Sequence, residues 1–337
     1  MGASGKHETD IEHNGSARRS SSGKNYVYPS SMGAPGPIPM PIEDRRHRVF
    51  LIPLFVTANI VVFIVTMWRN NCPDHIRIGG KCVLRWLGRF SFQPWSENPL
   101  LGPSALTLLN MGGLERNHVI HQDEGWRLIS CMWLHAGVFH LLANMIGLLI
   151  IGLRLEREFG FIRVGIVYLL SGFGGSLLSS LFVENQISVG ASGALFGLLG
   201  ASISDLIINW SIYANKCLAL WSLVLIVAIN LAFGLMPHVD NFAHIGGFVG
   251  GLLLGFVFLM KPQYGWMNLR DPRGEQPVRK YSTVQYVLFI VSLALVLALY
   301  TAAIIALFKD VDANKRCKWC HYLSCVPTSR WKCDGSS

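Results

Sequence analysis

Charged residues are scarce in this chain, because Asp, Glu, Lys and Arg make up only 15% of its 337 residues while 51% are hydrophobic. Soluble domains carry about a quarter charged residues, so this deficit excludes an ordinary soluble globular protein. The net charge of +9 could suggest nucleic acid, but no nucleic-acid-binding module is present. The charges lie in tails and loops, where they fit the electrostatics of a membrane surface.

No cleavable signal peptide is predicted either, since residues 1–48 are rich in Ser, Gly, Pro and charge and predict a disordered tail. Apolar runs that reach or approach the roughly 20 residues needed to span a bilayer follow this tail. We therefore predict an all-α polytopic membrane protein. The seven predicted spans are 50–68, 134–151, 164–182, 193–208, 218–235, 242–260 and 284–308.

The distribution of Lys and Arg predicts the orientation of these spans. The N-terminal tail carries seven such residues, whereas the short connections 183–190 and 236–241 carry none. A cytosolic N-terminus and a non-cytosolic C-terminus follow, although Lys309, Lys315, Arg316 and Lys318 in the C-terminal tail oppose this weakly. The predicted organisation is a cytosolic tail (1–48), a six-helix core (49–260) with a long first loop (69–126), a cytosolic linker (261–283), a seventh helix (284–308) and a Cys-rich tail (309–337).

Six of the eight cysteines then fall in an oxidising compartment, in even numbers on each segment. Cys72 and Cys82 in the first loop predict one disulfide. Two further bridges of unknown pairing are predicted in the tail, among Cys317, Cys320, Cys325 and Cys333. The alternative for the tail is a zinc site built on its CKWCH segment, which an oxidising location disfavours because free thiolates do not persist there.

Polar residues inside the predicted spans indicate a functional site, since they are costly in lipid. His140 and Asn144 are four residues apart and share a helix face, with His135 near the non-cytosolic mouth of the same span. His244 opens the sixth span. Ser192 opens the fourth, within the small-residue stretch SVGASGALFG. All of these groups lie at similar depth on the same side.

Glycine spacing predicts that the fourth and sixth spans pack closely. GxxxG pairs start at Gly193 and at Gly247, and such pairs let helix backbones approach. The simple interpretation is packing alone. The same packing would also bring Ser192 beside His244, which is the minimum for nucleophilic acyl transfer. No third triad member is evident; Asp240 could orient His244, but we favour a helix-capping role for it.

The motifs together resemble those of the rhomboid family of intramembrane serine proteases. GASG is followed by AHIGG and preceded by HAGVFHLLAN and by the first-loop pair Trp126–Arg127. The resemblance covers about residues 48–310. It implies a six-helix core with one C-terminal helix added, a form usual in eukaryotic secretory-pathway members. The Cys-rich tail is similar to that of plant rhomboid-like proteins.

The resemblance also implies a role for each residue of the site. Ser192 would be the nucleophile and His244 the general base, while His140 and Asn144 would stabilise the oxyanion. Four residues would support them: Gly190, Gly193, His135 lining the polar cavity, and Phe196 stacking on the base where the family more often has tyrosine.

The implied activity needs no cofactor or metal. The implied partners are single-pass transmembrane substrates and the lipid bilayer, and the implied location is the Golgi or another secretory membrane. Two alternatives remain open. One is a catalytically inactive binding or chaperone protein; the other is a transporter whose small residues only pack helices.

Overall fold

Apolar helices make up most of the structure, a computed structural model that describes residues 47–74, 81–183, 186–234, 239–262, 280–311, 313–317 and 319–323. In these ranges the only β-pairing consists of isolated bridges, Val83 with Phe92 and Leu114 with Ser188. The predicted all-α fold is confirmed. A backbone in lipid must satisfy its own hydrogen bonds, which is why apolar runs of this length become helices.

The helices are named in chain order. They are α1 (Leu51–Asn70), α2 (Ala105–Asn110), α3 (Arg116–His121), α4 (Arg127–Ser130), α5 (Val138–Gly147), α6 (Leu153–Phe159), α7 (Phe161–Phe182), α8 (Ser192–Ile208), α9 (Lys216–Phe233), α10 (Asn241–Phe258), α11 (Thr283–Phe308) and α12 (Ala313–Arg316).

Five of the predicted spans are long and apolar enough to cross a membrane. The other two, α8 over Ser192–Ile208 and α9 over Lys216–Ala232, belong to the shorter apolar helices of 10–17 residues. The second span differs from the predicted 134–151, because α5 begins at Val138 and continues through a π-helical turn and α6 to Phe159. The charged segment after residue 151 is helical as α6, and the carboxylate of its Glu156 is fully buried and hydrogen-bonded.

Glu156 caps the first turn of α1, a role that the sequence does not reveal. Its carboxylate accepts the backbone N–H groups of Phe50, Leu51 and Ile52 at 2.9, 2.8 and 2.9 Å. These donors have no partner within their own helix. A negative charge at a helix N-terminus also complements the helix dipole, so a buried carboxylate is stable at this place.

The backbones of α8 and α10 touch along their glycines, as the GxxxG spacing predicts. A Cβ on Gly247 would lie 3.0 Å from the Cα of Gly193, and a Cβ on Gly251 would overlap the backbone of Gly197. Larger residues would therefore force the two helices apart. This contact fixes how α8 and α10 lie against each other at the end where both helices begin.

The seventh span, α11, is attached to this core by polar contacts spread along its length. Tyr300 fills a notch between α7 and α10, where its hydroxyl donates to Leu170 O at 2.8 Å. A Cβ on Gly174 would overlap the Tyr300 hydroxyl, and a Cβ on Gly250 would lie 2.5 Å from the same oxygen. Near the other end, Gln285 donates to Ile208 O at the end of α8 and to Lys261 O in the segment that follows α10.

Two disulfides are present among the described residues, and both lie on the same side of the protein. Cys72 is bonded to Cys82, as predicted, and Cys317 is bonded to Cys320. The second bond leaves neither of its sulfurs as a thiolate for the zinc alternative. Cys325 and Cys333, and with them the second predicted bridge of the tail, lie outside the described residues, as does most of the predicted tail 1–48.

Replacing Gly251 with Ala should destabilise the helix pair by about 1–3 kcal/mol, the usual cost of overpacking, because its methyl group would meet the Gly197 backbone. Thermal unfolding of the detergent-solubilised protein measures this. Gly125→Ala is the matched control, since a Cβ there would have its nearest neighbour at 4.0 Å. Equal melting temperatures for both variants and the wild type would contradict the close contact.

Candidate active site

Ser192 begins α8, and the segment before it is fastened to the first loop. Ser188 pairs with Leu114 through two backbone hydrogen bonds of 2.9 Å. Two residues later, the N–H of Gly190 donates to Cys131 O at 3.0 Å. These three bonds fix the conformation of the turn that positions the Ser192 hydroxyl.

The Trp-Arg pair of the first loop supports this arrangement from behind. Arg127 donates to the carbonyl oxygens of Leu109 and Gly113 at 2.6 and 2.8 Å, and its Nε contacts Glu124 at 2.5 Å. The guanidinium thus holds the turn that carries Leu114, the partner of Ser188. Arg127 is buried and its hydrogen-bond partners all belong to the first loop, so its role is to anchor the loop.

The first turns of α8 and α10 bring Ser192 and His244 onto adjoining backbone segments. A Cβ on Gly193 would lie 3.2 Å from the carbonyl oxygen of Ala243, the residue before the histidine. The side chains of Ser192 and His244 are not hydrogen-bonded to each other in this structure. Catalytic hydrogen bonds are often long without substrate and tighten only in the complex.

His140 faces the space beside Ser192. Gly190 has φ of +135°, and a Cβ on it would lie 2.9 Å from His140 Nε2 and 3.5 Å from Ser192 Oγ. Glycine is required there both for its backbone conformation and because a side chain would fill the space between the two groups. On the other side of the ring, His140 Nδ1 accepts the N–H of Ala136 at 3.4 Å.

Asn144 and His135 are buried beside His140. Asn144 donates one amide hydrogen to His140 O at 2.9 Å, and its Oδ1 has no partner. His135 is fully buried, with its ring centre 5.2 Å from that of His140. Neither of its ring nitrogens has a hydrogen-bond partner. His135 therefore packs against His140 in the interior of the protein.

Phe196 stacks on His244, which confirms the stacking expected for this position. The two rings are nearly parallel at 13°, with their centres 4.3 Å apart. The Nδ1 atom of His244 is buried without a hydrogen-bond partner. The ring is thus held by stacking and not by a carboxylate, and Nε2 is the nitrogen left to face a nucleophile.

Asp240 caps α10, as predicted. One carboxylate oxygen accepts the N–H of Ala243 at 3.0 Å, and the other accepts the hydroxyl of Ser179 on α7. The sequence gives no sign of Ser179, because it lies in a run of small residues typical of helix packing. The capping carboxylate joins α7 to the turn that carries His244.

The nearby thiol of Cys131 is not a competing nucleophile. Burial, with a smaller contribution from the charge of Asp240, raises the pKa of Cys131 to about 12. The thiol therefore stays protonated at neutral pH, and only a thiolate is strongly nucleophilic.

Comparison with known proteins identifies the family. A family model described as the Rhomboid domain matches residues 122–261. RHOMBOID-like protein 1 of Arabidopsis thaliana is 59% identical over 288 residues, which cover 84% of this chain and 73% of the relative. The chain belongs to the rhomboid family. RHOMBOID-like protein 2 of the same plant is 56% identical over 325 residues, covering 96% and 99%. Inactive RHOMBOID-like protein 8 is 41% identical over 306 residues, covering 87% of each.

Family membership and the apolar helices make this chain a multi-pass membrane protein. Membership supports an intramembrane protease function in general terms, and rhomboid proteases act on transmembrane substrates within a membrane. The family also contains a relative named inactive. The case for activity in this chain therefore depends on its own residues.

Replacing Asp240 with Ala should lower the stability of α10 by about 0.5–2 kcal/mol, as loss of an N-cap does. Asp240→Asn should retain most of the stability, because its amide oxygen can still accept the Ala243 N–H. Thermal unfolding of both variants measures the difference. Ser179→Ala, which keeps the cap but removes the bond to α7, serves as the comparison. Equal losses for Ala and Asn at position 240 would contradict the capping role.

Proposed function

We propose that this protein is an intramembrane serine protease that hydrolyses peptide bonds of single-pass transmembrane proteins, with Ser192 as nucleophile and His244 as general base. The contact between Gly193 and Ala243 carries the proposal. Gly193 directly follows Ser192, and Ala243 directly precedes His244, so this contact places the two residues on adjoining turns. A hydroxyl and an imidazole on touching helix turns can reach each other through small movements of the side chains.

The proposed reaction proceeds in two steps. His244 Nε2 takes the proton of the Ser192 hydroxyl as its oxygen attacks the substrate carbonyl, and the same proton then goes to the leaving amine. Water hydrolyses the resulting acyl-enzyme by the reverse sequence of proton transfers. Stacking on Phe196 holds the imidazole in one plane. In a catalytic triad, the carboxylate orients the histidine ring, and the stacking replaces part of this function here.

His140 has the hydrogen-bonding state that an oxyanion donor needs. Because its Nδ1 accepts a backbone N–H, the neutral ring carries its proton on Nε2, which borders the space beside Ser192. Asn144 retains one amide hydrogen beyond its bond to His140 O. The free backbone N–H groups at the start of α8 also favour negative charge there. Donors arranged before the reaction are the most effective stabilisers of an oxyanion.

A secretory membrane such as the Golgi, with a cytosolic N-terminus and a lumenal C-terminus, is the proposed location. Both described disulfides support it, because they lie on the side where α8 and α10 begin and disulfides persist in oxidising compartments. The site would then open toward the lumen, where water is available for hydrolysis.

Activity-based labelling tests the proposed mechanism. A fluorophosphonate should label the wild-type protein, and the protein should cleave at least one member of a panel of model transmembrane substrates. Ser192→Ala should abolish both signals. His244→Ala should lower both by about 10²–10⁴-fold, the usual contribution of general acid–base catalysis.

Two matched variants control for nonspecific effects of these substitutions. Ser202→Ala removes a hydroxyl of α8 that is bonded only to its own helix, and His121→Ala removes an exposed first-loop ring; both should be labelled like the wild type. A wild-type protein that is well folded yet neither labelled nor active on any substrate would contradict the proposal and favour an inactive binding protein.

Glycosylation mapping tests the orientation. An acceptor sequon added after residue 337 should be glycosylated, and one added before residue 1 should not, because the transferase acts only in the lumen. Fluorescence microscopy against Golgi and mitochondrial markers tests the compartment. Glycosylation at the N-terminus alone would reverse the topology, and mitochondrial localisation would overturn the proposed organelle.

A further inference from the structure

Asn241, the first residue of α10, joins three separate parts of the chain. Its amide nitrogen donates to Leu323 O in the C-terminal tail at 2.7 Å and to Leu231 O near the end of α9 at 3.3 Å. The side chain is only 3% exposed. Both amide hydrogens are therefore used, and one of them depends on the tail.

The tail is itself fixed to the core before it reaches Asn241. Arg116 of the first loop donates to Asp310 and to Val311 O at 2.8 and 3.1 Å, where the chain leaves α11. A disulfide then closes a short ring between Cys317 and Cys320, and Cys320 is buried. The carbonyl that Asn241 binds follows this ring by three residues. The tail is thus attached at its start and braced just before its contact with α10.

The turn that Asn241 opens is the turn that carries His244, three residues further on. The neighbouring Asp240 attaches this turn to Ser179 of α7, and Asn241 attaches it to α9 and to the tail. These two side chains restrain the start of α10 from different directions. If the tail contact is lost, a buried N–H is left unpaired, which is unfavourable enough for the turn to shift.

We propose that Asn241 is a positioning residue through which the disulfide-braced tail holds the helix turn of His244 in its working position. The tail is then part of the support of the active site and not only an appendage of the seventh helix. The inference rests on the proposed function of His244, while the physical connection between tail and turn does not.

Full-length variants test the connection. Asn241→Ala removes the bonds of the amide, and the double variant Cys317→Ser/Cys320→Ser removes the brace. Asn230→Ala is the control for the first, because Asn230 is exposed and bonded only within α9. Cys72→Ser/Cys82→Ser is the control for the second, since it removes a disulfide on the same side that lies in the first loop.

Two readouts separate positioning from mere stabilisation. Cleavage kinetics are normalised to the fraction of protein labelled by fluorophosphonate, so unfolded molecules do not count. We expect kcat to fall about tenfold in both test variants with KM nearly unchanged, because small misplacements of catalytic groups are costly. Hydrogen exchange of residues 239–247 should accelerate in the same variants and not in the controls. Combining Asn241→Ala with loss of the brace should cost little more than Asn241→Ala alone, since both act through one contact.

Several results would overturn the inference. Unchanged kcat per labelled site, even with a lower melting temperature, would mean that the contact is only structural. A rise in activity would mean that the tail obstructs the site. Fully additive losses would mean that the brace and Asn241 act separately. If the wild type itself proves inactive, the proposed function fails, but unchanged exchange at 239–247 would still refute the connection and faster exchange would still support it.

Discussion

The backbones of α8 and α10 are in direct contact where Gly193 and Gly197 of α8 lie against Gly247 and Gly251 of α10. In lipid there is little hydrophobic gain from bringing helices together, so close packing and polar contacts must hold them. The same helix pair is also bonded beyond the glycines, where Ser204 donates to Leu252 O and Asn209 donates to Leu259 O. Ser192 and His244 stand at one end of this interface, so the same glycine contacts that hold the helices together also hold the two residues near each other.

The parts around this helix pair support, from outside, the end that carries Ser192 and His244. The first loop reaches the serine turn through the Leu114–Ser188 bridge, and Asp240 ties the histidine turn to α7. The ring of His244 has no carboxylate partner, so Phe196 and the helix itself determine its orientation. Such a site contains few charges in a low-dielectric setting, where an unpaired charge would be expensive.

Local pattern was enough to predict the helices and to name candidate site residues, whose roles stay a prediction. Apolar runs gave the spans to within a few residues for all but the second, and glycine spacing gave the contact between the fourth and sixth. What could not be predicted were partners distant in sequence. No pattern near Glu156 predicts that its carboxylate caps α1. No pattern near Asn241 predicts that its amide binds a carbonyl 82 residues away. Periodicity reports which face of a helix is buried, but not which group it meets.

Glu156 has a consequence for the way the protein is made. The first turn of α1 is synthesised 104 to 106 residues before the carboxylate that caps it. Until α6 has been made, the amides of residues 50–52 lack this partner. The N-terminal cap of the first span is therefore completed only late in synthesis, by a residue that belongs to another helix.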